Sequence, residues 1–100
     1  MIRHIVLFAL AGDDEAARAA AVSELTASLV PLSDSIPGVR SLRVDADGSG
    51  IGFHWHAALV SEHDSWEALA AYQADPRHVH VLQTVVARLV TEKAVVDYEV

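Results

Sequence analysis

Apolar residues along this chain fall into four short dense runs, separated by two longer stretches in which they recur every three or four positions. Short runs of that kind predict strands, and the three-to-four spacing predicts amphipathic helices. The first run, Met1 to Leu10, holds Ile2, Ile5, Val6, Leu7, Phe8 and Leu10, and predicts a strand buried on both faces. Gly12-Asp13-Asp14-Glu15 then supplies a turn, a helix cap and acids suited to the positive helix end. Val22, Leu25, Leu29 and Leu32 mark the apolar stripe of that helix, which Ser35-Ile36-Pro37-Gly38 ends. Val39 to Val44 alternates imperfectly, as an edge strand does, and Asp45 to Gly50 is turn chemistry for a hairpin. Ile51 to Val60 predicts the third strand, with Phe53, Trp55, Ala57 and Leu59 on one side and His54, His56, Ala58 and Val60 on the other. Asp64-Ser65-Trp66-Glu67 resembles a capping box with Asp64 as the cap, opening a short helix through Tyr72. Pro76 stops that helix and, with Asp75 as cap, starts another whose Leu82, Val85, Val86 and Leu89 run towards Thr91. Val95 to Val100 closes the chain as a strand.

The order strand, helix, strand, strand, helix, strand is the split βαβ arrangement, an α+β fold with a four-stranded antiparallel sheet and helices on one face. Helices cover only one face, yet the first and third strands carry apolar side chains on both. A large exposed apolar face is uncommon on a soluble monomer. The expectation is a homodimer, two sheets packed across a two-fold axis into a barrel.

Composition narrows the classes. One hundred residues with 52% apolar content fit a single domain spanning 1–100. Fourteen acidic against seven basic side chains give a net charge of −7, which disfavours nucleic acid and anionic membrane surfaces as partners. Cysteine is absent, which removes disulfides and thiolate metal sites. Ile5 to Leu10 is too short for a membrane span and lacks a signal-peptide layout, so a cytoplasmic protein is the reading.

Three polar residues stand at positions that should face the interior. His4 lies inside the first strand, where an imidazole is costly without a partner. Tyr72 and His78 flank the helix break Ala74-Asp75-Pro76-Arg77. His78 is the third residue of its helix and in phase with Leu82, Val85 and Leu89, so it points inward, near a positive helix end that disfavours imidazolium. His80 falls on the outer side with Gln83, Thr84 and Ala87, and the two do not make a metal pair. Neutral His78 can remove a proton beside a carbonyl, Tyr72 can donate a hydrogen bond to its oxygen, and His4 can orient the substrate or relay the proton. The plainer alternative is that these groups satisfy one another or the cap backbone. His54 and His56 share a strand face, but two such histidines are weak evidence for a metal, and none is expected. Asp45-Ala46-Asp47-Gly48 begins like a calcium loop, but His56 stands where the bidentate Glu belongs. No cofactor is expected.

Arg3-His4-Ile5-Val6-Leu7-Phe8, Ile36-Pro37-Gly38-Val39, Tyr72 and Asp75-Pro76-Arg77-His78, in this order and spacing, resemble the Dabb family, the stress-responsive dimeric A/B barrel domain. The resemblance spans nearly the whole chain. It implies a ferredoxin-like homodimer with a cavity in each subunit. The family includes heat-stable stress proteins and a plant cyclase that closes a linear polyketide by aldol condensation; the cyclase's pocket His, Tyr and His match His4, Tyr72 and His78. The chain departs from the family pattern in having Asp75 before the proline, His63 in place of a phenylalanine, and no tyrosine between Ala16 and Leu32. Two functions follow as expectations. One is a cofactor-free cyclase or related lyase acting on a small apolar carbonyl compound; the other is a non-catalytic stress or ligand-binding protein with a structural barrel.

Overall fold

The computed structural model describes residues 1–100. The elements are β1 (Ile2–Leu10), α1 (Glu15–Leu29), α2 (Leu32–Ser35), β2 (Val39–Ala46), β3 (Ala57–His63), α3 (Trp66–Ala74), α4 (Pro76–Val81), a π-helical turn (Leu82–Val86), α5 (Ala87–Leu89) and β4 (Val90–Glu99). The strands form one antiparallel sheet in the order β2-β3-β1-β4, with both central strands fully paired. The α+β, ferredoxin-like arrangement is the one the hydrophobic pattern predicts. No helix is long and apolar enough to cross a membrane.

Strand alternation sorts the side chains into two populations. Ile2, His4, Val6, Phe8 and Leu10 of β1, with Ala57, Leu59, Ser61 and His63 of β3, are buried beneath the helices. Ile5, Leu7, Ala58 and Val60 are half-buried on the open face, where Val96 of β4 is 60% exposed. Arg3 edges this face, ion-paired with Glu62 and lying over the Tyr98 ring. β1 is therefore fully buried on one face only.

Asp14 caps α1 as expected, accepting from the Ala17 amide, and Ala21, Leu25 and Leu29 at intervals of four pack on the sheet. The predicted helix through Leu32 is broken in two, because Pro31 lacks the amide that would continue the hydrogen-bond ladder. Gly38 makes the entry into β2: its φ is +87°, and a Cβ there would stand 2.8 Å from the Ala68 Cβ of α3.

Several boundaries differ from the sequence expectation. The third strand begins at Ala57 rather than Ile51, because its partner β2 ends at Ala46, opposite Ala57. His56 still bonds to Phe8 and Asp47, but the residues before it leave the ladder and form a loop, with Phe53 89% exposed. The strand then runs on to His63 rather than ending at Val60. The cap of α3 is Ser65, which accepts from the Ala68 amide, rather than Asp64, which is held by Arg40. β4 starts at Val90 rather than Val95, since β1 offers it a partner edge along its whole length. The helix after Pro76 is also not uniform: Leu82–Val86 widens into a π-helical turn, a local irregularity often found at functional sites.

Candidate functional site

The site is built on the break between α3 and α4. Asp75 takes an extended conformation, accepts from the Arg77 amide as the cap of α4, and grips the Arg77 side chain. That contact holds the Asp75 carboxyl well below the usual range, at about 2. Arg77 also donates to the Ser35 carbonyl, tying the break to the end of α2. So fixed, the break turns Tyr72 and His78 towards one another, with ring centroids 4.3 Å apart.

His4 enters from below. Its position on β1 pairs with Asp97 on β4, and its Nδ1 lies 2.5 Å from the Asp97 carboxylate. With Nδ1–H donating, the ring orientation and tautomer are set and Nε2 is the free nitrogen. His63, at the end of β3, completes a row of rings: His4 to His63 is 6.2 Å, and His63 to Tyr72 is 5.0 Å. His63 Nε2 shares a hydrogen bond with Ser61 Oγ at 2.8 Å.

Two atoms in this row lack hydrogen-bond partners although fully buried, the Tyr72 hydroxyl and His63 Nδ1. Burial pushes the Tyr72 phenol far above its usual range, so it stays a proton donor. Burial likewise lowers the pKa of His78, against the opposing effect of the Gln73 carbonyl and with smaller contributions from His4 and Lys93. Desolvation, rather than the end of the six-residue α4, is the main reason His78 is held neutral. His78 Nδ1 lies 3.2 Å from the Gln73 carbonyl, which can only accept; Nδ1–H therefore donates, and the Nε2 lone pair is left for chemistry. His63 is also held neutral, first by burial and then by His4.

His4, Tyr72 and His78 line a cavity of about 230 Å³ between the sheet and the helices, from which His63 is set back. Val6, Phe8, Leu29, Leu59, Leu82 and Val86 supply its apolar wall; His4, Tyr72 and His78 are polar points on it. Leu29 is the residue that α1 contributes to this wall. The structure thus brings all three sequence candidates to one cavity and leaves His80 exposed outside.

A larger hollow of about 400 Å³ lies at the other end of the molecule, against the start of α1 and the loop after β2. Its histidines are already engaged. His54 Nδ1 meets Asp47 and Ser49, whereas His56 Nδ1 accepts from the Leu10 amide, so the two do not converge on a common point. Asp45 is paired with Arg43, and the segment that begins like a calcium loop is a turn closed by side-chain hydrogen bonds. The cavity beneath α3 and α4 is where the neutral bases and the unpartnered hydroxyl gather.

Sequence reasoning missed Asp97, Lys93 and Gln73, and met His63 only as a departure from a pattern. Ala57, Leu59, Ser61 and His63 alternate onto one face, so a third strand read to its true end would have placed His63 beside His4.

The sequence matches the model of the stress responsive A/B barrel domain (Dabb) over residues 2–100. No curated protein matches it in sequence. Among solved structures, a dimeric protein of unknown function and ferredoxin-like fold from Bacteroides fragilis is 28% identical, with a TM-score of 0.85 over 99% of this chain and 95% of that one. A dimeric ferredoxin-like protein of unknown function from Thermobifida fusca is 24% identical, with a TM-score of 0.81 over 99% and 90% of the two chains. The hydroxynitrile lyase of Passiflora edulis shares the fold at 14% identity, with a TM-score of 0.80 over 99% and 92%.

Proposed function

Because this chain belongs to the stress responsive A/B barrel (Dabb) family, we propose that it acts as a homodimer whose subunits each bind a small carbonyl compound and catalyse a cofactor-free aldol-type cyclisation or related lyase step. The observation that carries this reading is the Tyr72 hydroxyl, buried without a partner on the same cavity wall as His78. A buried unpaired hydroxyl is costly and is retained where a ligand completes it.

In the proposed step, His78 Nε2 takes a proton from the carbon beside the carbonyl. The C–H electrons move onto the carbonyl oxygen, which accepts a hydrogen bond from Tyr72 as its charge grows. The resulting enolate carbon attacks a second carbonyl of the same molecule, forming the new C–C bond. The alkoxide produced there recovers the proton from the His78 imidazolium. Atoms and charge balance with no outside reagent. His4, held by Asp97, orients the substrate. Dimerisation would cover Ile5, Leu7, Val60 and Val96 on the open sheet face, and the dimeric state described for the Bacteroides and Thermobifida proteins supports it.

The family is described as stress responsive, and a second reading is a barrel that binds a ligand without catalysis. Deuterium exchange separates the two. In heavy water, methyl hexyl ketone should lose its α-protons faster with the protein than with free imidazole, and His78→Ala should abolish the difference while His80→Ala preserves it. Equal rates for the wild-type protein and His78→Ala would refute catalysis.

A further inference from the structure

The seven basic side chains comprise six arginines and a single lysine, Lys93. Arg3, Arg40, Arg43, Arg77 and Arg88 are each paired with a carboxylate, and Arg18 lies in the distant hollow beside Glu15 and Asp47. Lys93 has no carboxylate within ion-pair distance. On β4 it stands opposite Phe8, so its side chain is on the helical face of the sheet, and it contributes to the cavity wall next to Val95. Asp97, further along the same face, is engaged by His4, and Glu92 alternates to the opposite face.

A protein of net charge −7 repels anions at long range. An unpaired ammonium on the edge of an apolar cavity reverses that field locally, and low-dielectric walls sharpen it. Its aliphatic stem extends the apolar lining while its head remains free to pair. Lys93 is also close enough to His78 to help lower that histidine's pKa. The cavity lining therefore combines a cation, apolar wall, a hydroxyl donor and a neutral base.

We infer that the ligand of this cavity is an amphiphilic monocarboxylate, with its carboxylate at Lys93, its aliphatic body against Phe8, Leu29 and Val86, and Lys93 as the residue that selects it. This rests on the reading that the cavity is the ligand site, and it adds the ligand's charge and orientation. A keto acid of this kind presents its carbonyl to Tyr72 and His78 while the charged end stays at Lys93. Neutral compounds of the same length lose the contact at Lys93.

The test uses octanoate and octanol at one fixed ionic strength, with affinity measured by calorimetry and location by the NMR shifts of the His78 ring. Both ligands should move the His78 signals, and octanoate should bind more tightly. Lys93→Met should weaken octanoate about fivefold to tenfold, as loss of a partly screened charge-assisted contact does, and leave octanol within about twofold. Lys93→Arg should retain octanoate binding. Lys93 is exposed, so these variants are expected to fold. If octanol binds as tightly as octanoate, or Lys93→Met leaves octanoate unchanged while His78 still responds, the charge selection is overturned and the cavity assignment stands. If neither ligand moves His78, both are overturned.

Discussion

Replacing Tyr72 by phenylalanine removes one buried oxygen and keeps the ring that packs between His63 and His78. Tyr72 is 0% exposed and its hydroxyl has no partner. Leaving such a group unsatisfied costs about 1–3 kcal/mol, so its removal should recover about 1 kcal/mol after the surroundings relax. For a domain of about 100 residues, that raises Tm by about 4–8 °C. A hydroxyl that held the structure together would give the opposite sign, a loss of about 1 kcal/mol and a lower Tm. Thermal unfolding followed by circular dichroism, at matched protein concentration because the proposed dimer would make Tm concentration-dependent, reads the sign directly. Ketone exchange should fall about 100-fold or more in the same variant, as when a donor to a developing oxyanion is lost. A fall in Tm, or unchanged exchange, would refute the assignment of Tyr72 as a poised donor.

Further outcomes concern pH and assembly. Burial holds His63 and His78 below the ordinary imidazole range, so the unfolded chain binds protons that the folded chain refuses. Their stabilising contribution is therefore complete above about pH 6.5 and declines as the pH falls below it, by at most about 1.4 kcal/mol per pH unit for each histidine. Urea midpoints measured between about pH 8 and pH 5 should show this decline, and His63→Phe should reduce it; an acid slope identical in the variant would contradict the assignment. Val96→Lys places a charge on the open sheet face and should leave monomers at micromolar concentration in light scattering, whereas a dimer that persists would show that the interface lies elsewhere.

The layers of the fold were legible because hydrophobic periodicity and turn chemistry agree at most boundaries: Asp14 and Asp75 cap helices as their sequence contexts suggest. Pairing decided what local pattern did not. Phe53, His54, Trp55 and His56 alternate as well as any strand, yet only His56 bonds across to other segments, at Phe8 and Asp47, and the three before it do not continue the ladder. The apolar pattern marks the last strand only from Val95, because Thr91, Glu92 and Lys93 before it are polar, but an edge strand tolerates polar residues. The same cause hid part of the site. His4, Tyr72 and His78 were visible as polar residues at interior positions, whereas Asp97 and Lys93 acquire meaning only through the β1–β4 register that sets them opposite His4 and Phe8. His63 became visible only once the third strand was extended by three residues, from Val60 to His63.

The alternation along β1 has a consequence for how such a protein changes over time. His4 and Ile5 are chain neighbours, yet one serves the chamber beneath the helices and the other the opposite surface of the same sheet. Even-numbered positions answer to the core and the cavity and odd-numbered ones to the open face, two separate demands as long as the strand does not slip by one. A single-residue insertion in this strand would exchange the two sets at once. Point substitutions there should therefore be tolerated far more readily than changes in length.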